Sequence, residues 1–140
     1  RMFIGSGEQM VVRDAEIVHD RDCVIIDDLI ATGGTIREAV NALRKEGAKR
    51  IFVACVHPVL ATSRTDQQRA LAKIMATDIE RLYVADTIPL VGDRAPLPEE
   101  APRIHVSSVA PFIARAIAAI HDEKSVSDLF DQACREVLED

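Results

Sequence analysis

Continuous apolar runs alternate along the chain with segments whose hydrophobic positions recur every three or four residues. Cys23 to Ile26 is the first run, with no polar residue inside it, and reads as a strand buried on both faces that ends at Asp27 and Asp28. Ile36, Ala39, Val40 and Leu43 then fall at i, i+3, i+4 and i+7, the stripe of a helix that Arg44, Lys45 and Gly47 close. Ile51 to Val56 is a second strand, stopped at His57-Pro58 because proline donates no ladder hydrogen bond. A helix over Asp66 to Met75 turns Ala70, Leu71, Ile74 and Met75 inward, and Leu82 to Ala85 and Ile104 to Val106 read as two more strands. Between them, Pro89 to Pro102 holds four of the six prolines and reads as a surface loop. Ser108 is placed to cap a helix with Pro111 in its first turn and Phe112, Ile113, Ala116, Ile117 and Ile120 on one face. Ser127 opens a last amphipathic helix with Leu129, Phe130, Ala133, Val137 and Leu138. Strands alternating with helices are the signature of βαβ units, so the fold class is α/β with a mainly parallel sheet.

Composition narrows this to one soluble domain. The chain has 140 residues, 48% hydrophobic and 29% charged, enough for a core but too few for two full-sized domains. With 23 acidic against 17 basic residues and a net charge of −6, it lacks the basic excess that binding a phosphate backbone requires, which argues against nucleic acid. Cys23, Cys55 and Cys134 make no CxxC pair and no disulfide framework, which points to a reducing, cytoplasmic setting. No run approaches the roughly 20 apolar residues of a membrane span, and the start carries no signal-peptide pattern. The chain opens on Arg1 and continues as RMFIGSGEQM without element-like periodicity, so residues 1–20 are expected to be a lead-in from a longer polypeptide, and residues 21–140 the domain proper.

The chemistry is concentrated in Val24-Ile25-Ile26-Asp27-Asp28-Leu29-Ile30-Ala31-Thr32-Gly33-Gly34-Thr35, a strand leading through two carboxylates and a Gly/Thr loop into a helix. Ligands of parallel α/β sheets sit beyond the carboxyl ends of the strands, where this one delivers Asp27 and Asp28. Gly33 and Gly34 permit backbone angles closed to other residues and a close main-chain approach to a ligand. The free N–H groups of the loop and first helical turn, with the Thr32 and Thr35 hydroxyls, form a nest for a phosphate. The two carboxylates are suited to accept hydrogen bonds from vicinal hydroxyls and to help hold a divalent cation. A ligand with a phosphate at one end and a diol in its middle, such as a ribose 5-phosphate group, meets this description. Neither GxxxxGK[ST] nor GxGxxG is present.

VIIDDLIATGGT resembles the phosphoribosyl-diphosphate (PRPP) motif of type I phosphoribosyltransferases and of PRPP synthetases, also called ribose-phosphate pyrophosphokinases. GAKRIFVACVHPVLA, RLYVADTIPL and HVSSVAPFIARAIAAIHDEKSVSDLF resemble the C-terminal domain of the PRPP synthetase family, and the resemblance runs from about Asp20 to Phe130. It implies a three-layer α/β/α domain of phosphoribosyltransferase type, beside an N-terminal sister domain of similar fold in a homo-oligomer. It implies transfer of the diphosphoryl group of ATP to ribose 5-phosphate, with Mg²⁺, giving PRPP and AMP. By position, Asp27 and Asp28 would meet the ribose hydroxyls, and Ala31, Thr32, Gly33, Gly34 and Thr35 would cradle the 5-phosphate. The family's catalytic loop, with its lysine and arginine, would lie just before the chain or at its edge, which makes Arg1 the candidate for the last of those basic residues. The ATP and metal residues belong to the preceding domain, so this chain alone is not expected to be catalytic.

One departure stands out: Ala31 occupies a place where many PRPP synthetases carry an acid and nucleobase phosphoribosyltransferases carry alanine. It favours one rival reading, a PRPP-consuming phosphoribosyltransferase; a second rival, a non-catalytic PRPP-synthetase-like regulatory subunit, would be favoured if the region upstream lacked the loop lysine. Asp86 and Thr87 follow a strand and are secondary candidates for the border of the site, while His57 and His105 read as packing or loop histidines.

Overall fold

A computed structural model describes residues 15–60, 64–90 and 101–129, and contacts divide the chain into two compact units, Arg1–Ser107 and Ser108–Asp140. In the first unit, β1 (Asp22–Ile30), β2 (Arg50–Pro58), β3 (Arg81–Ala85) and β4 (Ile104–Ser107) form one sheet in the order β1-β2-β3-β4, every neighbouring pair parallel. The connections are helical: α1 (Gly34–Lys45) follows β1 and α2 (Arg64–Met75) follows β2. This is the α/β class that the alternating pattern requires.

The core lies between the helices and one face of the sheet. Ile25, Ile51, Val53, Leu82 and Val84 meet Ile36, Ala39, Val40 and Leu43 of α1 and Ala70, Leu71, Ile74 and Met75 of α2, all buried. The helical stripes are those set by the 3.6-residue period. Alternation along the strands sends their other residues to the opposite face, where Val24 is 58% and Ile26 79% exposed. The first strand is therefore not buried on both faces. A continuous apolar run shows that a strand is tolerated inside a protein, but which faces are covered depends on neighbours that the run does not encode.

Two strand ends also differ from the sequence reading. β1 does not stop at Asp27 but pairs on through Leu29↔His57 and Ile30↔Pro58. β2 likewise includes His57 and Pro58. Pro58 is accommodated because it is the last residue of the strand, and the missing donor is replaced nearby: Leu60 N–H donates to the Ile30 carbonyl at 2.9 Å. A tight turn in which Val59 N–H donates to the His57 carbonyl makes this possible and carries Leu60 to φ 52°.

Side chains and caps hold these elements in register. Arg50 pairs with Asp22 through two guanidinium nitrogens, Nε and Nη2, at the register position Asp22↔Arg50, and the guanidinium holds the Asp22 carboxyl below its usual range. α1 ends as the sequence predicts: Gly47 at φ 81° donates to Arg44 O (3.0 Å) and Ala48 N–H to Leu43 O (3.0 Å), the Schellman arrangement. Arg44 ties this end to the start of β3 by donating to Ala48 O (2.7 Å), Lys49 O (2.8 Å) and Asp78 O (2.8 Å). Its Nε lies 2.9 Å from Asp78 Oδ2, an ion pair whose N–H is not aimed well enough to count as a hydrogen bond. Arg103 clamps the end of α2 through Met75 O (2.8 Å), Thr77 O (3.3 Å) and Ile79 O.

The second unit contains α3 (Ala110–His121). Its N-cap is Val109 rather than Ser108, although the Ser108 hydroxyl accepts from Ala110 N–H at 3.2 Å and Pro111 stands in the first turn. Phe112, Ile113, Ile117 and Ile120 are exposed and Ala119 is buried. The segment 1–14 with Arg1, most of the expected loop between Pro89 and Pro102, and the expected tail helix beyond Leu129 with Cys134 lie outside the described residues.

Candidate phosphate and polyol site

The last residues of β1 and the first turn of α1 enclose a cavity of about 190 Å³ lined by Asp27, Leu29, Ile30, Ala31, Thr32, Gly33, Thr35 and Ile36. Five sequence candidates, Asp27, Ala31, Thr32, Gly33 and Thr35, are thus brought to one cavity. Asp28 and Gly34 are not among its lining residues. Because β1 continues through both carboxylates, Asp27 and Asp28 fall on opposite faces of the strand, Asp27 half-buried and Asp28 exposed. Leu29, Ile30 and Ile36 are cavity walls too, a role for which apolar side chains give no chemical signal in the sequence.

The electrostatics of the loop favour an anion. Gly33 is the N-cap of α1 at φ 71°, no side chain caps the helix, and its first turn carries no acid. The N–H groups of the first turn have no intrahelical acceptor and add to the positive end of the helix dipole. Arg37 N–H makes the first helical bond, to Gly33 O at 3.1 Å. Gly33 is also where α2 touches the loop: a Cβ there would lie 2.7 Å from Ile74 Cγ1 and 3.0 Å from Ala70 O. Gly34 is different. Its φ is not positive, so the expected need for special backbone angles does not apply, and a Cβ would meet only Thr32 Oγ1, at 3.5 Å.

Beneath the carboxylates, Cys55 pairs in register with Asp27 and its thiol points to Asp28 O at 3.8 Å. Burial, reinforced by the charges of Asp27 and Asp28, pushes this thiol up from its ordinary range. At the end of β2, His57 Nδ1 lies 2.9 Å from Thr87 Oγ1, and Thr87 Oγ1 donates to Val56 O at 2.7 Å. The secondary candidate Thr87 thus has a partner that the sequence could not supply, 30 residues away. His105 stacks at a tilt against Tyr83, ring centroids 5.5 Å apart, as a packing histidine does. Among the described residues no group of three or more His, Cys, Asp or Glu side chains is placed to hold a metal ion, and no helix is long and apolar enough to cross a membrane.

The family model of the phosphoribosyl transferase domain matches residues 3–86, the stretch that contains β1, the loop and α1. The chain belongs to the phosphoribosyl transferase domain family. It is 43% identical over 114 residues to ribose-phosphate pyrophosphokinase 2 of Enterococcus faecalis, covering 81% of this chain and 32% of that protein. It is 37% identical over 115 residues to ribose-phosphate pyrophosphokinase of Haemophilus influenzae, covering 81% and 33%. Among solved structures, phosphoribosylpyrophosphate synthetase from Mycobacterium smegmatis superimposes with a TM-score of 0.63 at 33% identity, over 76% of this chain and 32% of that one. The chain therefore spans about a third of the length of the relatives it matches.

Proposed function

We propose that this chain is the ribose-5-phosphate-binding part of a ribose-phosphate diphosphokinase, which transfers diphosphate from ATP to ribose 5-phosphate and releases PRPP and AMP. The observation that carries the reading is the uncapped, acid-free N-terminus of α1 behind Gly33, with Asp27 on the same cavity. The similarity to proteins named ribose-phosphate pyrophosphokinase supports it. In this reading the main chain from Ala31 to Thr35 and the Thr32 and Thr35 hydroxyls receive the 5-phosphate. Asp27, from the cavity wall, and Asp28, from the other face of the strand end, accept hydrogen bonds from the sugar hydroxyls. The gain is alignment, holding the anomeric hydroxyl for in-line attack on a donor phosphate supplied from elsewhere in the protein.

Mg²⁺ fits these residues only as an ion shared with substrate. It keeps several waters and takes one or two carboxylates together with phosphate oxygens, and among the described residues one carboxylate stands on the cavity wall. When bound, the ion supplies charge neutralisation on the transferring phosphates. ATP, an N-terminal sister domain that would hold it, Arg1 as the edge of a cationic catalytic loop, a homo-oligomeric assembly and a cytoplasmic setting complete the proposal. The experiment is direct: the full-length protein carrying this chain, given ATP, Mg²⁺ and ribose 5-phosphate, should form AMP and PRPP in equal amounts. Absence of both overturns the proposal. A second reading, a PRPP-consuming phosphoribosyltransferase, is favoured by Ala31, and release of pyrophosphate from PRPP with a nucleobase would establish it instead.

A further inference from the structure

Thr87 Oγ1 has a single hydrogen, and its contact with Val56 O, a group that only accepts, consumes that hydrogen. The 2.9 Å contact with His57 Nδ1 must then run the other way, with Nδ1–H donating to Thr87 Oγ1. In the neutral ring this assigns the Nδ1–H tautomer and leaves Nε2 with its lone pair, on an exposed side chain with no second partner among the described residues. The register decides what lies beside it. His57 pairs with Leu29, a wall of the cavity; both are exposed while the next pair, Ile30 and Pro58, is buried, so His57 and Leu29 stand side by side on the same side of the two strand ends. Neighbouring strands are about 4.8 Å apart, within the reach of an imidazole.

We infer that His57, locked in this tautomer by the Thr87–Val56 relay, is a positioning residue of the polyol site, its Nε2 accepting a hydrogen bond from a sugar hydroxyl beyond those taken by the carboxylates. This rests on the ribose-5-phosphate reading above. The relay is also a clasp between the ends of β2 and β3, which alone would make it structural. A clasp stabilises the fold but discriminates no ligand, and this separates the two roles.

The test is calorimetric titration of the full-length protein with ribose 5-phosphate and, separately, inorganic phosphate. Loss of one neutral hydrogen bond in His57→Ala should raise the ribose 5-phosphate Kd about fivefold and leave that of phosphate unchanged. His57→Gln, which places an amide near the position of Nε2, should restore most of the affinity. Long-range ¹H–¹⁵N spectra should show Nδ1 protonated and Nε2 bare in the wild type and in Thr87→Ser, and a tautomer mixture in Thr87→Val. An unchanged ribose 5-phosphate Kd in His57→Ala, while Asp27→Asn weakens binding, overturns the inference and leaves the ribose-5-phosphate reading standing. Equal losses for both ligands reduce His57 to the clasp and also overturn it. A wild-type protein that binds phosphate but ribose 5-phosphate no better overturns the reading and the inference together.

Discussion

At Gly33 a methyl group would press on Ile74 Cγ1 at 2.7 Å and Ala70 O at 3.0 Å, in a backbone conformation of φ 71° that side chains rarely adopt. At Gly34, one residue on, it would find open space except for Thr32 Oγ1 at 3.5 Å, at an ordinary helical position. The two glycines should therefore respond with opposite signs. Gly33→Ala is predicted to destabilise the fold by about 2–4 kcal/mol, the sum of left-handed strain and overpacking. Gly34→Ala should hold or raise the melting temperature, since alanine in a helix is worth about 0.5–1 kcal/mol over glycine, while weakening ribose 5-phosphate binding because its methyl crowds the phosphate nest. Thermal melts and titration of both variants check the pair, and a stable Gly34→Ala protein with unaltered affinity would remove Gly34 from the site. Burial raises both the Cys55 and the Cys23 thiols, with the Asp22 charge adding at Cys23. Reaction requires the thiolate, so alkylation of both, followed by peptide mapping, should be slow at neutral pH and accelerate only above the ordinary thiol range. Because the folded state holds these protons more tightly, the associated stability is complete below the unfolded thiol pKa and is lost as pH rises through the folded one.

Among the elements, α2 decides whether the loop keeps its shape. Ile74 is fully buried, and Arg103 fixes the end of the same helix through three carbonyls. Ile74→Ala should cost about 2–5 kcal/mol by leaving a cavity. It should also relieve the contact that makes Gly33→Ala costly, so the double variant should lose less than the sum of the single losses, by about 1 kcal/mol in chemical denaturation. The φ strain and the Ala70 carbonyl remain, so the coupling should be partial. This contact between α2 and the β1–α1 loop spans about forty residues of chain. The helical period showed that Ile74 faces inward, but nothing in it shows that the surface it meets is a glycine at a helix start.

For the molecule as a whole, the exposed sheet face and the length of its relatives point the same way. Val24, Ile26 and Val56 present aliphatic surface to solvent, and the chain spans about a third of the proteins it resembles. The 140-residue chain is predicted to bind ribose 5-phosphate but to form no AMP from ATP, because the cavity lining carries one carboxylate, two hydroxyls and no cationic side chain to receive a triphosphate. Isothermal titration and a coupled AMP assay on the same preparation check both halves. Measurable AMP release by the isolated chain would refute the second. A parallel sheet gathers its loops at one end, and a bimolecular phosphoryl transfer would need a second wall opposite that end.

The sequence by itself determined the α/β class, the inward stripes of α1 and α2, the glycine-closed end of α1 and the segment in which the chemistry lies. All of these follow from local period, caps and turn residues, which the chain carries within a few positions. Only the tertiary structure decided that β1 runs on to Ile30 and so divides Asp27 from Asp28, since strand length is set by pairing with β2. Only the packing of α2 separated the roles of Gly33 and Gly34. Only the β1–β2 register and the β2–β3 neighbourhood brought His57 beside Leu29 and onto Thr87. Register and packing are relations between distant segments, and no window of sequence contains both partners.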